Sequence, residues 1–144
     1  MLRIGVCVRC NAWNIASRSI GGIAAEPELE PFRKAVRSLC EKYPGSYWRE
    51  RDENREYPTE FVDELQQAGY LSMLIPEEFG GTGNTLREAC AVLEEVHRSG
   101  CNGGAAHAQM YTMGSILRYG SEEQKAQYLP AIAAGDLRLQ ARSR

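Results

Sequence analysis

Apolar residues in this chain recur every three or four positions, and glycine or proline ends each run. That spacing places one apolar stripe along an α-helix, so the chain must bury helix against helix. Leu29, Phe32, Val36, Leu39, Cys40 and Tyr43 form a first stripe ahead of Pro44 and Gly45. A polar stretch, SYWRERDENREY, then leads to Pro58, a good first helical residue, and to a second stripe of Phe61, Val62, Leu65 and Ala68 that Gly69 closes. YLSMLIP is too short and too apolar to show a period. It reads as a buried extended connector stopped by Pro76.

Two capping boxes fix the starts of later helices. Thr85 with Glu88 precedes a stripe of Leu86, Ala89, Cys90, Leu93 and Val96 that ends at Gly100, and Ser121 with Gln124 opens a helix whose Tyr128, Leu129 and Ile132 are expected to face inward. Between them NGGAAHAQMYTMGSILRYG carries small residues first and Met110, Met113 and Leu117 later, with Gly120 as its stop. Pro130 predicts a kink or break near residue 126. Leu137 and Leu139 alternate like the start of a strand before the basic end of the chain. The expected fold is all-α, a bundle of about five short helices.

The loop IPEEFGGTGNT at 75–85 raises the question of a phosphate cradle, because a glycine-rich turn feeding a helix N-terminus can bind anions. Its spacing argues otherwise. A Walker-type loop needs Lys and then Ser or Thr after its last glycine, whereas Asn84 and Thr85 follow Gly83, and the dinucleotide fingerprint lacks its third glycine. Glu77 and Glu78 would repel an anion. The stretch reads as a shaped turn in front of a capped helix.

The 144 residues suffice for one core, and a net charge of −2 gives no reason to expect nucleic acid as a partner. No apolar run approaches the ~20 residues of a membrane helix. Five cysteines, an odd number without a regular framework, argue for reduced thiols in an intracellular compartment. Cys7 and Cys10 form a CxxC, but Cys40, Cys90, His97, Cys101 and His107 do not supply a second ligand pair at closed zinc spacing, so no metal site is expected. Cys90 reads as a small core residue, and Met73, Met110 and Met113 as core fillers. Glu77, Glu78, Glu94 and Glu95 read as solvated faces. Residues 1–25 hold Arg3, Arg9 and Arg18 and no acidic residue. That composition is shared by an organelle transit peptide and by a disordered leader, and favours a mitochondrial matrix address over a cytoplasmic one.

The strings GYLSMLIPEEFGGTG at 69–83 and GSEEQKAQYLPAIAAGD at 120–136, with the helical spacing between them, resemble the N-terminal helical domain of the acyl-CoA dehydrogenases. The resemblance covers about residues 26–140 and leaves 141–144 as an aberrant tail. It implies a parent enzyme that uses FAD to remove two hydrogens from the α and β carbons of an acyl-CoA thioester, with a glutamate as proton acceptor. In the family that glutamate and the flavin contacts lie in a middle β domain and a C-terminal helical domain. The resemblance therefore implies a truncated chain that carries no catalytic residue, no cofactor-binding residue and no flavin of its own.

By the same resemblance, Gly103, His107 and Tyr111, four apart on one helical face, are expected to form a wall of the acyl pocket. His107 would line the pocket rather than act as an acid. A homo-oligomeric parent is expected, and non-specific association for a chain whose interdomain face stays wet. The alternative is a non-catalytic helical interaction module that binds a related full-length subunit.

Overall fold

The computed structural model describes residues 27–138, and all regular structure within them is helical. The leader with its CxxC, Leu139 and the tail lie outside the described residues. A short 3-10 turn, Pro27–Leu29, enters α1 (Glu30–Cys40). There follow α2 (Gly45–Asn54), α3 (Thr59–Gln67), a second 3-10 turn (Glu77–Phe79), α4 (Leu86–Arg98), α5 (Gly104–Tyr119) and α6 (Glu122–Ala134). The all-α bundle is as expected, with six α-helices where about five were anticipated.

The additional helix is α2, which occupies most of the polar stretch. None of its residues is fully buried. Only Tyr47 and Trp48 turn inward, too few to write a stripe into the sequence. They are held by edge-to-face ring contacts, Tyr47 on Tyr43 at 5.0 Å and Trp48 on Phe61 at 5.0 Å, while Trp48 Nε1 donates to the Tyr43 carbonyl at 3.1 Å. Arg51 lies over the Tyr47 ring and pairs with Glu60 of α3 at 3.0 Å. The helix is thus fastened by aromatic edges and charge.

The main packing is α1 against α4. Leu29, Val36 and Cys40 of the α1 stripe are buried, and so is Arg33 between them, at 1 % exposure. On α4 the buried residues are Ala89, Ala91, Val92, Glu95 and Val96. Two expectations need correction here. Leu86 is 69 % exposed, because the helix's inward face is centred on Val92 rather than on Leu86 and Leu93. Glu95 is not solvated: it is 1 % exposed and accepts from Arg37 Nε at 2.9 Å and Arg33 Nη1 at 3.4 Å. Arg33 also donates to the more exposed Glu94 at 2.6 Å. Burial raises the Glu95 carboxyl, but the Arg37 hydrogen bond and charge, with Arg33, outweigh it and hold the group below the usual glutamate range.

Phe61, Val62 and Leu65 of α3 complete the first core with Leu71, Met73, Val96 and Met110. The connector at 70–76 is buried as expected but is not extended. It runs as tight turns, with Ser72 N donating to Gly69 O and Ile75 N to Ser72 O, so its polar backbone is satisfied while Leu71, Met73 and Ile75 stay inside. A smaller cluster of Ile75, Met113, Leu129 and Ile132 lies between α5 and α6. Met73, Met110 and Met113 are core residues, whereas Cys90 is half-buried.

Both capping boxes are formed. Thr85 N reaches Glu88 Oε2 at 2.6 Å, and Ser121 N reaches Gln124 Oε1 at 2.9 Å, each matched by the return bond to the cap hydroxyl. Pro130 does not break α6, which runs unbroken from Glu122 to Ala134. Pro130 and Ala126 both face solvent, so the Ala126 carbonyl that lacks an N–H partner is open to water. Tyr128 lies on a different side of the helix and is 37 % exposed, against the expectation that it faces inward. Residues 137 and 138 are not strand. Gly135 takes φ +86°, Leu137 N bonds back to Ala131 O, and the Leu137 side chain packs on the smaller cluster.

Two expected outcomes follow from this packing. Glu95→Ala removes the buried carboxylate that Arg33 and Arg37 share, leaves Arg33 with Glu94 alone, and lowers stability by about 2 kcal/mol in denaturant unfolding. Because the folded pKa of Glu95 is depressed, its contribution is whole above the ordinary glutamate pKa and is lost as pH falls through the folded value. Acid titration of Glu95→Gln should accordingly show a shallower loss of stability. The second concerns Gly81 and Gly114. A Cβ at Gly81 would lie 2.1 Å from the Ile75 carbonyl oxygen, whereas one on Gly114, inside α5, meets nothing within 4 Å. Gly81→Ala should lower Tm, while Gly114→Ala gains about 1 kcal/mol of helix propensity and should raise it.

Candidate functional site

α5 is capped by Gly103, whose carbonyl accepts from His107 N at 2.9 Å, while Asn102 Oδ1 accepts from Gly104 N at 2.8 Å and satisfies an otherwise orphaned amide. Its inner face, Ala106, Gln109, Met110 and Met113, is buried at helical spacing. The opposite face carries His107, Tyr111, Ser115 and Tyr119, four apart and all exposed. The His107 and Tyr111 rings stand 5.2 Å apart at 58°. Tyr111 is 46 % exposed and Tyr119 is 77 % exposed, high values for aromatic side chains on an otherwise packed helix.

The hydroxyls along this helix turn back on its own backbone. Thr112 Oγ1 donates to Ala108 O at 2.8 Å and Ser115 Oγ to Tyr111 O at 3.2 Å. What faces outward is therefore the His107, Tyr111 and Tyr119 rings with their polar tips, with Arg118 over Tyr119 at 5.6 Å. Beside it, Ser115, Ile116, Tyr119, Gln124 and Tyr128 line a largely apolar groove of about 250 Å³ between α5 and α6. Such a surface can exclude water and measure shape. It holds no pair of groups arranged for proton transfer.

Of the three residues expected to share a pocket wall, His107 and Tyr111 are brought together on the outer face. Gly103 sits differently. It is buried, and a Cβ there would lie 2.7 Å from His97 Nε2, so the imidazole at the end of α4 covers it. Tyr119, which the sequence did not single out, and Tyr128, which was expected to face inward, join the exposed aromatic surface. The signal for Tyr119 was available, since it continues the four-residue spacing from Tyr111.

The glycine loop before α4 does not fit a pyrophosphate. Gly81 N donates to Pro76 O at 3.2 Å, Gly83 N to Ile75 O at 2.8 Å and Asn84 N to Met73 O at 2.6 Å, so the amides that would cradle a phosphate are already bonded. Among the described residues, no three or more His, Cys, Asp or Glu side chains gather as a metal ion would require, and no helix is long and apolar enough to cross a membrane.

Residues 26–136 match the model of the acyl-CoA dehydrogenase N-terminal domain. The chain is 41 % identical over 109 residues to a protein named "Probable acyl-CoA dehydrogenase fadE25" of Mycobacterium bovis, covering 74 % of this chain and 28 % of the relative. It is 36 % identical over 87 residues to the 3-sulfinopropanoyl-CoA desulfinase of Cupriavidus necator, covering 59 % of this chain and 22 % of that enzyme. The chain thus spans little more than a quarter of the curated dehydrogenase it matches. Among solved structures, the acyl-CoA dehydrogenase from Geobacillus kaustophilus superposes with a TM-score of 0.68 at 24 % identity, over 78 % of this chain and 30 % of that one, a likeness of fold. These relatives are bacterial and lend the mitochondrial address no support. On the domain match and the fold together, the chain belongs to the acyl-CoA dehydrogenase family, whose members are FAD-dependent, and carries that family's N-terminal helical domain.

Proposed function

We propose that this chain is the N-terminal helical part of an FAD-dependent enzyme that dehydrogenates acyl-CoA thioesters, and that the outer face of α5 supplies one wall of its acyl pocket. The observation that carries this reading is the asymmetry of α5. Its inner face is buried, while the outer face leaves the paired His107 and Tyr111 rings exposed. A helix that exposes aromatic area in this way has a ligand or another domain to cover it.

In this reading FAD and the proton acceptor belong to the rest of the longer protein, and the flavin supplies the hydride acceptor. The residues of this chain bind and orient. Tyr111 and His107 would exclude water from the acyl tail and limit the volume open to it. Gly103 would act through His97, whose ring it seats at the start of α5. Assembly as a homo-oligomer goes with the complete enzyme. The desulfinase among the relatives fits the division of labour, because a related helical domain there accompanies a different reaction on a CoA thioester.

The test is to join residues 27–138 to the remaining domains of an active relative and measure kcat/KM across acyl lengths. Tyr111→Ala should open the pocket and shift preference toward longer or bulkier chains, by about 1 to 3 kcal/mol per methylene accommodated. Gly103→Leu should displace the His97 ring and penalise long chains, with turnover of short substrates retained. An unchanged length profile in both variants would remove α5 from the pocket. Loss of all activity in folded His107→Ala would give that residue a chemical part instead. For the unjoined chain, the wet α5 face should bind a hydrophobic dye and make sedimentation concentration-dependent. A dye-silent monomer that binds a full-length relative would favour a non-catalytic interaction module.

A further inference from the structure

Away from α5's outer face, two cysteines from distant parts of the chain meet where α1 ends. Cys40 is the last residue of α1, and Cys101 stands in the turn between α4 and α5, 61 positions later. Both thiols are free and both residues are buried, at 3 % and 5 % exposure. Cys101 Sγ lies 3.8 Å from the Cys40 carbonyl oxygen and 3.9 Å from that of Tyr43, so the Cys101 side chain sits directly against the end of α1. A cavity of about 430 Å³ borders Cys40 beside Arg37 and Arg98. Another, of about 370 Å³, borders Cys101 beside Trp48 and Asn102. Either is many times the volume of a water molecule. Open space thus lies on both sides of the pair, at the surface from which a small neutral oxidant would arrive.

We propose that Cys40 and Cys101 form an oxidisable dithiol, a disulfide site that fastens the end of α1 to the turn from which α5 starts, with hydrogen peroxide as the oxidant. Cys101 reacts first. Burial, and then the neighbouring Cys101, pushes the Cys40 thiol up to about 12, so Cys40 is seldom the attacking thiolate near neutral pH. The Cys101 sulfur attacks peroxide, an S–O bond forms, the O–O bond breaks and water leaves with the thiol proton. Cys40 then attacks the sulfenic acid: the S–S bond forms, the S–O bond breaks, and a second water leaves with the Cys40 proton. Two thiols lose two electrons and two protons, and the peroxide that gains them becomes two waters. The bond closes a long loop that contains α2, α3 and α4, and it pins the N-terminal end of the helix that carries His107 and Tyr111.

The experiment uses the full chain with Cys7→Ser, Cys10→Ser and Cys90→Ser, treated with hydrogen peroxide while folded and digested without reduction for mass spectrometry. Peptides joined through Cys40 and Cys101 are expected, with the intact mass lowered by two hydrogens and a Tm raised by roughly 5 °C or more that dithiothreitol reverses. In the added Cys40→Ser variant, dimedone should trap Cys101 as its sulfenic acid. A second readout needs neither cysteine changed: phenylarsine oxide, which bridges neighbouring thiols, should bind once per chain and fail to bind after peroxide. Thiols that stay reduced under peroxide, or that are oxidised separately to sulfinic acids without joining, overturn the proposal.

Discussion

The bundle is organised around a charge contact inside an apolar seam. Arg33 and Glu95 occupy stripe positions on α1 and α4 and meet where those helices cross, with Arg37 closing over the carboxylate from the rim. Apolar side chains alone can slide past one another by a turn at small penalty. A buried guanidinium and carboxylate cannot, because every other register leaves a charge in low dielectric without its counter-charge. The pair thereby selects one docking of α1 on α4. From that docking follow the seat of Cys101 against the end of α1, the position of the turn before α5, and the direction in which α5 leaves.

Much of this was written plainly in the sequence, and what was not has physical reasons. Thr85 with Glu88 and Ser121 with Gln124 announced two helix starts because a capping box is a local exchange of hydrogen bonds that needs no tertiary partner. α2 was hidden because its attachment is a pair of aromatic rings on one turn, and a stripe needs several turns to be recognised. Glu95 was misread by composition, since a glutamate is a surface residue by default. Its place three positions after Val92, opposite an arginine set between Leu29 and Val36, held the contrary signal. Gly103 had the right spacing for the outer face, yet its surroundings depend on where His97 lands, which no local pattern encodes.

The glycine loop before α4 has a structural reason for its composition. Its backbone passes so close to Ile75 that a side chain at Gly81 has nowhere to go, and its amides return to the carbonyls of Met73, Ile75 and Pro76. A loop that resembles an anion cradle in outline is instead a clasp, which brings the start of α4 against the buried connector.

That connector also determines how the molecule opens. Leu71 and Met73 belong to the larger core and Ile75 to the smaller, while Leu74 packs on both, so one run of turns is shared by two hydrophobic clusters. Met110 and Met113 repeat the arrangement one helical turn apart on α5. The smaller cluster, with four fully buried side chains, has less apolar area to lose than the larger and opens at a lower free energy than it. Amide hydrogens along α6 and the second half of α5 would then exchange together as one unit. Those of α1 and α4 wait for the whole fold to come apart. The aromatic groove between α5 and α6 thus stands on the cluster more able to breathe.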